Sequence, residues 1–219
     1  MPPQWLQALA YVYVPLSIAS ALFVAADIFV FGRRHPMAIM DVVWPLTTLY
    51  WGPLGLAPYF WFGRAGDGGH HADRPMWQAT FNGASHCGAG CALGDFIGDW
   101  FAFATAFAVF GSLFGGKLAL AFALAYLFGV VFQYFSVAPM RNRGLRDGIV
   151  AAIKIDTLSL LAYEVGMFAW MGVREWVFPT LEPTSLTYWF MMQIAMLLGF
   201  ATTYPVNWAL IAKGVKEKM

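Results

Sequence analysis

The chain has 219 residues, of which 60% are hydrophobic and only 11% are charged, and its formal net charge is +1. Soluble domains carry about a quarter charged residues, so this composition excludes an ordinary water-soluble protein and indicates a multispanning membrane protein. The near-zero net charge also excludes a basic surface for nucleic acid. We therefore expect membrane lipids, and no nucleic acid, among the partners of the chain.

Hydrophobic segments recur about six times, each close to the roughly 20 residues that a helix needs to cross a bilayer. They cover residues 9–31, 37–62, 83–110, 118–139, 149–173 and 186–212. The sequence shows neither an internal repeat nor a polar domain between them. It therefore predicts an all-α fold, a polytopic transmembrane helix bundle of about six spans that forms one integral membrane domain over residues 1–219.

The second segment, residues 37–62, contains Pro45, Pro53 and Pro58, which weaken a continuous helix. We expect a kinked full crossing, and a segment that dips into the membrane and returns on the same side is the alternative. In either case the loop cations place the beginning of the third segment on the cytoplasmic side, where thiols stay reduced.

The third segment contains both cysteines of the chain, Cys87 and Cys91. Residues four apart are neighbours on a helix, so these cysteines share one ridge with Asp95 and Asp99. Charged groups within a span are costly and are candidates for function. This ridge is therefore where the sequence predicts chemistry.

A second ridge of the same segment carries almost no side chains, because Gly90, Gly94 and Gly98 also recur at steps of four. Small residues at this spacing let another helix approach closely in lipid, where association depends on packing. We expect a close helix contact here, and another membrane protein docked on this ridge is one candidate for that contact.

A metal site is the first interpretation of the cysteines. Ser85 suits a helix N-cap and would leave Cys87 in the first turn, where the helix dipole favours a thiolate. With His86 at the mouth of the helix and Cys91 one turn further, two soft ligands and an imidazole are available for one ion such as Cu(I) or Zn²⁺. The alternative is that the cysteines are small residues at a tight helix crossing and His86 is an interfacial cap.

Further polar and thioether side chains lie within the spans and are candidate auxiliary groups of this site. Carboxyls suit outer ligands or proton acceptors, and thioethers favour Cu(I), although methionine is also a common filler of apolar cores. We expect the acids of the fifth segment to face the third. The auxiliary candidates are Asp95, Asp99, Asp156, Glu164, Met192 and Met196.

Four stretches resemble a bacterial polytopic membrane family that is catalogued as a domain of unknown function. They are Val43–Leu54, Ser85–Asp95, Phe132–Met140 and Tyr188–Ile194. The resemblance extends over nearly the whole chain and implies a location in the bacterial inner (plasma) membrane. Members are sometimes labelled copper oxidases, so the resemblance also implies a link to copper. This chain lacks a cupredoxin-like soluble domain, so no oxidase activity is carried over.

Together these features predict an integral membrane protein that binds a soft metal ion at His86, Cys87 and Cys91. Copper is preferred to zinc as the ion, and the predicted role is metal transport or delivery. One alternative is a membrane redox enzyme that acts on a lipid-soluble substrate. Another is an accessory or scaffold subunit of a larger membrane complex. The sequence leaves open whether the chain is an enzyme, and it assigns no catalytic residue.

Overall fold

The computed structural model describes residues 2–65, 74–141 and 145–218, with the backbone alone for residues 137–141, 145 and 151. This part of the chain is helical and contains no strand, which confirms the predicted all-α fold. Its six main helices are α1 (Gln4–Phe29), α2 (Met40–Trp51), α3 (Met76–Thr105), α4 (Leu113–Arg141), α5 (Leu145–Val177) and α6 (Leu186–Ala212).

Three of these helices are long and apolar enough to cross a membrane, namely α1, the Leu113–Ser136 part of α4, and α6. Their 26, 24 and 27 residues exceed the roughly 20 that a bilayer core of about 30 Å requires. Helices α3 and α5 are longer still, with 30 and 33 residues, but each carries charged side chains within its length. Bulky apolar side chains such as Trp5, Leu22 and Phe23 are exposed, as expected for a surface that faces lipid.

The second predicted segment does not form one continuous kinked helix. Helix α2 has 12 residues, or about 18 Å, which is shorter than a bilayer core. It ends at Trp51, because the next residue, Gly52, has a φ of +63° in the left-handed region; a Cβ on Gly52 would lie 2.7 Å from the Tyr13 ring. A 3-10 turn (Gly52–Gly55), a single α turn (Leu56–Pro58) and a π-helical turn (Tyr59–Gly63) follow. The Gly52–Pro53 pair therefore breaks the segment, whereas Pro45 is accommodated inside α2.

Two buried acids hold this irregular stretch in place. Arg64 Nε and the Tyr59 hydroxyl each donate a hydrogen bond of 2.7 Å to Asp27 at the end of α1. In the turn before α2, the His35 ring lies 2.7 Å from Asp41 Oδ1. Buried carboxyls are stable only when they are paired, so Asp27 and Asp41 act as anchors for the turns around α2.

The beginning of α3 differs from the predicted one. The helix starts at Met76, directly after Pro75, so Ser85 lies well inside it and caps nothing. The interpretation that placed Cys87 in the first helical turn is therefore wrong, because the free backbone N–H groups belong to the turn after Pro75. The helix ends at Thr105, since Ala106 has a left-handed φ of 52°.

The glycine ridge of α3, consisting of Gly90, Gly94 and Gly98, packs against α4 of the same chain. A Cβ on Gly94 would overlap the backbone nitrogen of Ala125, and one on Gly90 would lie 2.9 Å from another α4 backbone nitrogen. The predicted close helix contact is confirmed. Helix α4 of the same chain occupies this ridge, and docking of another membrane protein stays a prediction.

This packing predicts that the same substitution destabilises the chain at one helical glycine and not at another. Gly94→Ala forces α3 away from α4 and should lower the free energy of unfolding by about 1–3 kcal/mol. Gly172→Ala on α5 is the matched control, because nothing lies within 4 Å of its added Cβ. Thermal unfolding of both variants in detergent tests this, and equal melting temperatures would contradict the packing.

Candidate functional site: a buried polar row on α3

The candidate site is built on the ridge of α3 formed by Cys87, Cys91, Asp95 and Asp99, which we call the polar row. All four residues are at most 2% exposed. Since a helix rises about 1.5 Å per residue, the row extends over about 18 Å. Its length is therefore more than half the thickness of a bilayer core of about 30 Å.

At one end of the row, Cys87 belongs to a buried group with Asp156 and Lys216. The Cys87 thiol donates to Asp156 Oδ1 at 3.2 Å, and Lys216 Nζ donates to Cys87 Sγ at 3.5 Å. The same ammonium lies 3.6 Å from Asp156 Oδ1. Lys216 reaches this position because Gly214, with a φ of +68°, turns the chain back after α6. A thiol, an acid and a cation thus meet out of contact with solvent.

The second thiol has a similar partner. Cys91 donates to Glu164 Oε1 at 3.3 Å, and Glu164, like Asp156, lies on α5. The expectation that the acids of the fifth segment face the third is therefore confirmed. Between these acids, the Tyr163 hydroxyl donates to the backbone oxygen of Met196 at 2.8 Å, so α6 is bound to the same region. Each thiol is joined to its own carboxyl.

The opposite end of the row carries a second cation. Lys117 Nζ lies 3.2 Å from Asp99 Oδ1, and the Tyr188 hydroxyl donates to the other oxygen of Asp99. Lys117 also lies 4.1 Å from the centre of the Tyr188 ring, which favours the ammonium there. Asp95, between Cys91 and Asp99, has a hydrogen-bond partner on neither oxygen. The row is thus paired with a lysine at each end and has an unpaired acid in its middle.

The remaining auxiliary candidates, Met192 and Met196 of α6, line a cavity together with Asp95. Both methionines are buried. Both side chains therefore border the cavity that Asp95 also lines, and their role as metal ligands stays a prediction.

The structure separates His86 from the contacts that the cysteines make. Its ring is fully buried and lies edge-on to Phe132 of α4, with ring centres 6.0 Å apart. Neither ring nitrogen has a hydrogen-bond partner. Within residues 2–65, 74–141 and 145–218, no group of three or more His, Cys, Asp or Glu side chains is placed to hold a metal ion. A metal site at His86, Cys87 and Cys91 stays a prediction.

Three residues that matter to the row were not singled out in the sequence. Lys216 belonged to the tail, Lys117 to a short turn, and Tyr188 to an apolar segment. The sequence held one indication of these lysines: the acids within the hydrophobic segments outnumber the lysines there, and buried acids need positively charged partners. The cations therefore had to come from the segment ends.

Residues 76–216 match the family described as a domain of unknown function, DUF4396. The match includes more than half of the chain, so the chain belongs to this family, as the resemblance implied. It begins after Val43–Leu54, so it supports less of the chain than expected, but it contains the whole polar row and ends at Lys216. No curated protein and no solved structure matches the chain significantly.

The lysine at the first end of the row should be needed for stability only while Asp156 is charged. Lys216→Met leaves a buried carboxylate without its cation and should lower the free energy of unfolding by about 3–5 kcal/mol. Lys216→Met combined with Asp156→Asn should recover most of that loss. Thermal unfolding of both variants is the measurement.

Lys213→Met is the matched control, because Lys213 is exposed and should contribute little to stability. The ion pair would be contradicted if Lys216→Met melted like the wild type. It would also be contradicted if the double variant were as unstable as Lys216→Met alone.

Proposed function

We propose that this chain is an integral membrane protein of the bacterial inner (plasma) membrane that binds a soft metal ion, copper before zinc, and transports or delivers it. The observation that supports this is the pair of fully buried thiols, Cys87 and Cys91, one turn apart and each hydrogen-bonded to a carboxyl of α5. Thiolates are the ligands that select Cu(I) and zinc. The apolar length of α1, α4 and α6 supports the membrane location.

The carboxyls of Asp156 and Glu164 can accept the protons that the thiols must lose when they bind a metal ion. A thiol must lose its proton to become a ligand, so metal binding releases protons. Asp156 and Glu164 already accept the hydrogen bonds of the two thiols, so each is placed to take a proton. Binding of the ion would then be coupled to movement of protons along the row.

Charge balance also favours a monovalent ion. Two thiolates and one Cu(I) carry a net charge of −1, and the Lys216 ammonium 3.5 Å from Cys87 Sγ offsets it. A divalent ion with two thiolates is neutral and leaves the ammonium uncompensated once Asp156 is protonated. Copper in its reduced state is therefore the better fit for this end of the row.

The rest of the row supplies further steps for an ion that moves. Met192 and Met196 offer soft thioether ligands beside Asp95, and Asp99 follows one turn later. Thiols on α3, thioethers on α6 and then the Asp99 carboxyl are ligands of decreasing softness, and this order would let an ion leave the thiols toward the opposite end of the row. Transport, rather than storage, is therefore the form of the function that we propose.

The alternative functions are affected differently by the structure. A scaffold that docks through the glycine ridge loses its surface to α4. A membrane redox enzyme that acts on a lipid-soluble substrate remains an alternative, in which the thiols would carry the chemistry. Turnover that survives removal of both cysteines would rule out that version.

Metal loading tests the proposal directly. The full chain, purified in detergent and loaded with Cu(I) under anaerobic conditions, should carry about one ion per chain by native mass spectrometry. Cys87→Ser combined with Cys91→Ser should reduce occupancy at least tenfold, because both soft ligands are lost. Ala89→Ser adds a hydroxyl to a buried position of the same helix and should leave occupancy unchanged.

His86→Ala separates two forms of the site. A site made by the two thiolates should retain most of its copper in this variant, whereas a site with the imidazole as third ligand should lose it as fully as the double cysteine variant does. A wild-type chain that binds neither Cu(I) nor zinc would overturn the proposed function.

A further inference from the structure

A cavity of about 560 Å³ lies between α1, α2, α3 and α6, beside the middle of the polar row. Its volume is in the range of small-molecule sites, about 300–1,000 Å³. Most of its wall is apolar, and four aromatic side chains and two polar ones are the distinctive groups. These are Tyr50, Phe96, Trp100, Trp189, Asp95 and Gln193.

Both of the nonaromatic polar groups present hydrogen-bond acceptors that lack a donor. Asp95 is 2% exposed, and neither of its oxygens has a partner. Gln193 is 8% exposed; its Nε2 donates to the backbone oxygen of Leu49 at 2.8 Å, which leaves Oε1 without a partner. Buried acceptors without donors are costly. A ligand that donates hydrogen bonds would remove this cost.

The charges around Asp95 favour a cation. Of the acids that meet the polar row, Asp156 and Asp99 each have a lysine within 4 Å. Asp95 and Glu164 have no such cation in the part of the chain that the structure describes. A positively charged ligand at Asp95 would therefore balance the middle of the row as the lysines balance its ends.

The aromatic walls suit the same ligand. The rings of Trp100 and Trp189 are stacked with centres 6.3 Å apart, and Phe96 lies 5.2 Å from Trp189. Aromatic faces attract cations, and most strongly so in sites without water. A cavity lined by both a carboxyl and aromatic rings is suited to recognise an ammonium group with an apolar body.

The cavity reaches the surface of the bundle on its apolar exterior. Three of its lining residues, Ile18, Phe96 and Trp100, are 45%, 53% and 38% exposed. They lie on helices whose other exposed side chains are also bulky and apolar. A ligand would therefore enter from the lipid, and must be soluble in it.

We propose that this cavity binds a lipid-soluble amine. Its apolar body lies against the aromatic side chains of the cavity, and its protonated nitrogen donates hydrogen bonds to Asp95 and Gln193. A neutral lipid that offers only acceptors, such as an ester, would leave both groups unpaired. The site depends on Asp95 and the cavity walls, and it is independent of the thiols.

The test compares two molecules of equal length, dodecylamine and dodecanol, on the full chain in nanodiscs of phosphatidylcholine. Dodecylamine is protonated at neutral pH, as the lysine amine is. Isothermal titration should show one saturable site for dodecylamine, and affinity at least tenfold weaker for dodecanol. Asp95→Asn should weaken dodecylamine binding at least tenfold, whereas Asp147→Asn, an exposed acid on α5, should leave it unchanged.

Two further variants keep the outcome decisive. Ala92→Phe fills the cavity and leaves Asp95 in place, so it should abolish binding even if Asp95→Asn folds poorly. Cys87→Ser combined with Cys91→Ser should retain binding, which separates this site from the proposed metal function. Absence of saturable binding, equal affinity for dodecanol, or unchanged binding in Asp95→Asn would each overturn the proposal.

Discussion

The hydrogen bonds between the thiols of α3 and the carboxyls of α5 are the contacts on which the site depends. In an apolar bundle, a buried acid is costly unless another group of the protein or a ligand pairs with it. Cys87 and Cys91 provide donors for Asp156 and Glu164. On its other side, α3 is fixed by the glycine ridge against the backbone of α4. The polar row is therefore held between a close backbone contact and a set of acids, and its position has little freedom.

Cations are unequally distributed along the polar row, and this distribution bears on both the proposed metal site and the proposed amine site. Lysines neutralise the two ends, through Lys216 and Lys117, while the middle keeps an acid without a partner. Because no lysine among the described residues pairs with this acid, its positive partner must be a bound ligand, a proton or a mobile ion. The thiols favour a soft ion at one end of this region, and the aromatic cavity favours an organic cation beside it.

Features that depend on periodicity were predictable from the sequence. The six helical segments, the close packing of the glycine ridge and the acids of α5 facing α3 all follow from helical spacing. The cap at Ser85 was wrong because a cap works only where a helix begins, and Pro75 is the stronger start signal. His86 directly precedes Cys87 in the chain, but successive residues on a helix point about 100° apart, and the His86 ring faces α4. The position of Lys216 depends on tertiary contacts that no local pattern contains.

The turn at Gly214 has a consequence for assembly. Asp156 lies on α5 and is made before α6 and Lys216, because a chain is synthesised from its N-terminal side. Until the turn has brought the ammonium into place, the acid lacks its cation and must remain protonated or hydrated. The ion pair that closes this end of the row can therefore form only after α6 and the turn at Gly214 have been synthesised.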